Sequence, residues 1–145
     1  MNTEKNTHRL LGAAFLFIAF ASALSGLMLS SLGVMVTGPA DNISETMINF
    51  SDNAKRVQMS IIGYLIEAVA IVLLTVLLYT TLKKQNKIIA RWAFGLWIIE
   101  AVLIAVREIN AFSLLYTAQK FVKAGAPDSS YFQTLGSLFY KLMHF

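Results

Sequence analysis

Apolar and charged positions are segregated along this chain into long blocks. Leu10 to Val36 runs for 27 positions without a charge, about Val57 to Leu82 is interrupted only by Glu67, and the apolar length from about Trp92 to Gln119 carries Glu100, Arg107 and Glu108. A helix needs about 20 predominantly apolar residues to cross the hydrocarbon of a bilayer. The pattern therefore predicts an all-α transmembrane bundle, a single domain over residues 1–145 with three spans at about 10–36, 57–82 and 92–119. The first block has a competing reading, because Lys5 and Arg9 precede it and Ala21-Ser22-Ala23 has the small-residue form of a signal-peptidase site. The apolar core of a signal peptide is about 7–15 residues, so the unbroken run favours a retained helix.

Between the blocks the pattern changes period. Thr37-Gly38-Pro39 cannot continue a helix, since proline lacks the N–H and glycine is permissive. Asn42 followed three residues later by Glu45 then signals a new helix start, and Ile43, Met47 and Phe50 fall on one face. This predicts a short amphipathic helix on the periplasmic side, before span two. After span three, Gly125-Ala126-Pro127-Asp128 breaks the chain. Tyr131, Phe132, Leu135, Leu138, Phe139 and Leu142 then line one side of a last segment, with Gln133, Ser137 and Lys141 opposite. That segment, about 128–145, is expected to be an interfacial amphipathic helix or the lead-in to a fourth span.

Composition agrees with the pattern. The chain is 57% hydrophobic and 14% charged, with a mean hydropathy of +0.62, where soluble domains carry roughly 25% charged residues. Soluble enzymes, disordered tails and nucleic-acid modules are excluded as default readings. The net charge of +4 comes from Lys and Arg in tails and loops, above all Lys83, Lys84, Lys87 and Arg91 between spans two and three. With three spans, the N-terminal tail and that loop share one side and hold six positive residues; the other side holds four, or five with Lys141. The positive-inside rule puts the N-terminus in the cytoplasm. With no cysteine, and with His8 and His144 at opposite ends of the chain, thiol chemistry and a metal or haem site have no ligands. No metal or cofactor is expected, and no nucleic acid.

Two sets of residues stand out. Ser22, Gly26 and Ser30 recur every fourth position, a small-residue stripe that lets helix backbones approach closely. Glu67, Glu100, Arg107 and Glu108 lie inside the apolar lengths, where a central charge costs roughly 2.5–3.5 kcal/mol on insertion scales. Such residues need partners. Glu67 and Arg107 each lie fifteen residues in from the basic loop, counted from Leu82 and Trp92, or roughly 22 Å at 1.5 Å per residue. Glu67 is thus the expected partner of Arg107, with Glu100 as the alternative. The cluster reads either as a device fixing helix register or as the lining of a path for a proton, an ion or a small solute. Ser22, Ser25 and Ser30 have no histidine in their helix, and no phosphate-cradling loop follows a strand. The expected role is non-enzymatic, in helix packing or assembly, with a transporter component as the alternative. The expected partners are the bilayer and either further copies of the chain or another membrane protein.

Arg9-Leu10-Leu11-Gly12, the run Val76-Leu77-Leu78-Tyr79-Thr80-Thr81-Leu82-Lys83 before a basic turn, Trp97-Ile98-Ile99-Glu100-Ala101, and Leu135-Gly136-Ser137-Leu138-Phe139-Tyr140-Lys141-Leu142 together resemble a bacterial membrane family filed as domain of unknown function 4386. The resemblance covers essentially the whole chain. It implies a multi-pass protein of the bacterial inner membrane and supplies no activity. Family members usually continue through further spans, so the resemblance implies that this chain matches their N-terminal part. Where Trp97 stands, many members carry arginine, three residues before the acid matching Glu100, and this departure puts a family-wide site at Glu100 in doubt.

Overall fold

Alternation of apolar blocks with capped polar breaks gives five helices and no strand among the described residues. The structure, a computed structural model, describes residues 2–30, 42–126 and 131–143, with only the backbone for 2–8 and 29. The helices are α1 (Asn2–Ser30), α2 (Ile43–Asp52), α3 (Ala54–Leu82), α4 (Lys87–Lys123) and α5 (Tyr131–Met143). α1, α3 and α4 contain stretches long and apolar enough to cross a membrane. The predicted stop at Thr37-Gly38-Pro39, the last residues of span one, and the break at Pro127-Asp128 lie outside the described residues.

Local chemistry sets the helix ends. The Asn42 side chain accepts hydrogen bonds from the Ser44 and Glu45 amides at the start of α2, an N-cap that satisfies donors with no partner inside the helix. Asn86 does the same for the Ile88 and Ile89 amides at the start of α4. α4 therefore begins at Lys87, five residues before the expected span, and the basic loop shrinks to a turn over 83–86. At the far end Gly125, with φ of 85°, closes α4. The Gly125 amide donates to Val122 O and the Ala126 amide to Phe121 O, each at 3.0 Å, the Schellman arrangement that satisfies the last carbonyls.

α3 is the central helix: α1 packs on one side of it and α4 on another, while α1 and α4 touch through the rings of Phe15 and Trp97. At the end away from the basic turn, α2 and α5 cap the bundle, packing mainly on α4. Their apolar faces close a continuous core containing Met47 and Phe50 of α2, Val57 and Ile61 of α3, Leu114, Ala118 and Phe121 of α4, and Tyr140 and Met143 of α5. The α2 face is the one its sequence spacing predicts. The α5 face agrees only in part: Phe132 and Phe139 pack against this core as expected. Tyr131, Leu138 and Leu142 point outward, and Gly136, Tyr140 and Met143 point inward, because a close approach fixes the rotation: a Cβ on Gly136 would lie 2.5 Å from Met47 Sδ. A Gln133 Nε2 to Ser44 Oγ hydrogen bond of 2.8 Å ties α5 to α2 at the same place.

Large apolar side chains cover the outward faces of the three long helices, including Leu16, Phe20, Leu73, Leu96 and Leu103. In water this would be an exceptional exposed apolar surface; hydrocarbon solvates it without cost.

Candidate functional site

Midway along α3 the side chains that face the other helices become small or polar. Ser60, Gly63, Tyr64 and Glu67 follow one another at intervals of three, one and three residues, so they share a flank. α1 docks there with residues of matching size. Ser60 Oγ donates to the Ser25 carbonyl at 3.1 Å, a Cβ on Gly63 would collide with Ser25 Oγ, and one on Gly26 would lie 3.4 Å from the Tyr64 hydroxyl. The absence of a side chain at Gly63 is what lets the backbones approach, as at other close membrane-type helix contacts, while a Cβ at Gly26 would make only ordinary contact. Of the small-residue stripe, Ser22 and Gly26 lie half-buried on this side. Ser30 is exposed and donates back to its own helix at Leu27 O, 3.1 Å. The buried serine of α1 is instead Ser25. The stripe departs from a strict four-residue repeat because the contact follows the crossing of α1 over α3 and ends before Ser30.

The carboxylates gather at the junction of these three helices. Glu67 is 7% exposed and Glu108 3%. Glu67 accepts a hydrogen bond from the Ser22 side chain and lies within electrostatic reach of Arg107 and Glu100. The ion pair of Arg107 is with its sequence neighbour: Arg107 Nε lies 3.6 Å from Glu108 Oε1, and its guanidinium sits 4.5 Å from the centroid of the Tyr64 ring. This corrects the expectation that depth alone pairs Arg107 with Glu67. Adjacent residues on a helix diverge by about 100°, yet Glu108 points into α3 and the long arginine side chain folds back over Tyr64 to meet it. Glu67 Oε2 and Glu108 Oε1 have no hydrogen-bond partner. Glu100 is exposed on α4, outside the buried group with which the sequence associates it.

Sequence reasoning passed over Ser25, Ser60, Gly63 and Tyr64. A signal was present: Ser60 and Gly63 form a small pair on α3 complementary to Ser22 and Gly26, and Tyr64 stands one turn before Glu67. Chemically the site offers acceptors and one guanidinium. Among the described residues no group of three or more His, Cys, Asp or Glu side chains is arranged to hold a metal ion.

A concavity of about 330 Å³ lies between α4 and α5 at the capped end and is lined by residues including Tyr116, Lys120, Phe132 and Phe139. No characterised protein and no solved structure is similar enough to this chain to count as a match. A family pattern does match, over residues 10–145, from the start of the apolar part of α1 through α5. The chain belongs to the family described as domain of unknown function (DUF4386).

Proposed function

We propose that the chain is a non-enzymatic, multi-pass protein of the bacterial inner membrane whose role is assembly: its three spans pack on one another and present an outer face to a partner in the bilayer. The observation that carries this reading is the way the mid-span polar groups are used. Ser22 bonds Glu67, Arg107 pairs with Glu108, and the arginine stacks on Tyr64, so one junction joins α1, α3 and α4 and holds them in a single register. Polar groups used in this way specify an arrangement more than they add stability. The excess of positive residues on the side of the N-terminal tail and the turn over 83–86 supports a cytoplasmic N-terminus. The deciding experiment is the state of the full chain extracted gently from its membrane. Assembly predicts a discrete complex larger than one chain in its detergent shell; a strict monomer overturns it.

One observation favours a second reading, a component of a proton, ion or small-solute transporter. Two buried carboxylate oxygens, Glu67 Oε2 and Glu108 Oε1, lack hydrogen-bond partners, and buried ionisable groups within membrane spans commonly mark conduction paths. Three helices enclose little space, so this reading requires several chains. Flux into proteoliposomes that Glu67→Gln abolishes supports it, and absence of flux from liposomes containing the assembled complex overturns it.

A further inference from the structure

The outer flank of α4 carries a seam whose Leu96, Glu100 and Leu103 have no partner in the fold. Leu96, Glu100, Leu103, Arg107 and Asn110 follow at spacings of four, three, four and three, the a/d repeat by which one helix packs along another. Leu96 and Leu103 are each 62% exposed and Glu100 is exposed, while Arg107 and Asn110 are half-buried, so the seam is open from Leu96 to Leu103 and partly covered beyond it. Glu100 is the anomaly on it. It lies nine residues beyond Arg91, or about 14 Å along the helix, close to the middle of a hydrocarbon layer about 30 Å thick. Among the described residues it forms no hydrogen bond or ion pair. The one cation near its depth, Arg107, is two turns away and engaged with Glu108 and Tyr64.

We propose that this seam receives a membrane-spanning helix of a partner protein that carries a lysine or arginine level with Glu100. Complementarity of charge selects the occupant. A carboxylate facing lipid at this depth is costly unless a cation covers it, while lipid alone satisfies the leucines beside it. A second, parallel copy of this chain would bring Glu100 against Glu100 at one depth and adds repulsion. The inference rests on the assembly reading and names the chemistry of the partner.

The test uses the labelled full chain in lipid vesicles with a synthetic leucine-rich helix bearing one lysine nine residues in from its basic anchor, and energy transfer as the readout. Binding of the lysine helix about tenfold tighter than that of its all-leucine counterpart, lost in Glu100→Leu but retained in Leu73→Ala on α3, supports the seam. Equal binding of the two helices, or undiminished binding to Glu100→Leu, overturns it. Energy transfer between two copies of the chain that Glu100→Leu abolishes also overturns it, in favour of self-association. Photocrosslinking groups at Leu96 and Leu103, and at Leu16 and Leu73 away from the seam, separate the two ideas in the native membrane. Crosslinks only at Leu16 or Leu73 overturn the seam and leave assembly standing, whereas no crosslink at any of the four overturns both.

Discussion

The capped end and the middle of this bundle are built by opposite means. At the capped end, four helices contribute bulky side chains such as Phe50, Leu114 and Phe121 to an apolar core in which several are fully buried. In the middle, α1 meets α3 through serines and glycines, and the largest groups at the junction with α4 are a tyrosine, an arginine and two glutamates. Burial of apolar volume resists unfolding but tolerates rearrangement, since one aliphatic contact substitutes for another. A buried charge tolerates little, because each misplacement leaves an ion or a polar atom unpartnered. The capped end thus supplies much of the cohesion between α2, α3, α4 and α5, and the middle dictates which faces of α1, α3 and α4 meet.

Substitutions at the capped end and in the middle separate these roles. The largest effect is expected from Arg107→Leu, which strands Glu108 at 3% exposure; breaking a buried pair from one side costs about 3–5 kcal/mol, read as a lower midpoint of denaturant-induced unfolding in detergent. Arg107→Leu combined with Glu108→Leu restores most of that loss, and a double variant as unstable as the single one breaks the claim that the pair acts as a unit. Phe50→Ala at the capped end is expected to cost about 3 kcal/mol through the cavity it leaves. The conservative Phe50→Leu recovers most of it, as a volume-governed site requires. Gly136→Leu drives a side chain into Met47 and costs about 1–3 kcal/mol, loosening α5 from α2; protease sensitivity confined to residues after 126 checks the location. Gly63→Ala is the smallest, about 1 kcal/mol, since the Ser25 hydroxyl it meets can rotate. Ser25→Ala in the same chain removes the colliding oxygen and returns stability, while Gly12→Ala and Gly95→Ala, where the added Cβ meets nothing beyond its own helix within 4 Å, do not lower it.

Much of the capped end was legible in the sequence, because period and capping are local properties. Asn42 with Glu45 marked the start of α2, and Met47 and Phe50 marked its inner face. The rotation of α5 was legible only in part: Phe132 and Phe139 lie on the expected face, but the contact that brings Gly136 against Met47 joins residues far apart in the chain. The start of α4 was missed because four positive charges read as a loop, although Asn86 carried the cap signal that places Lys87 inside the helix. In the middle, depth along the helices identified the level at which the charges meet, but depth has no angular component. It offered Glu67 for Arg107, whereas the direction of each side chain, which follows from how α4 packs on α3, gives Glu108.

The most direct test of the account is whether α1 docks on α3 through Ser25 and Gly63. A Cβ at Gly63 would lie 3.4 Å from that of Ser25, close to the spacing of about 3.5–4.5 Å found in disulfides, and the chain has no native cysteine to compete. Ser25→Cys with Gly63→Cys is expected to crosslink in the membrane under mild oxidation, and Ser30→Cys with Gly63→Cys is not. Failure of the first pair to crosslink, or equal crosslinking of both, would contradict this docking.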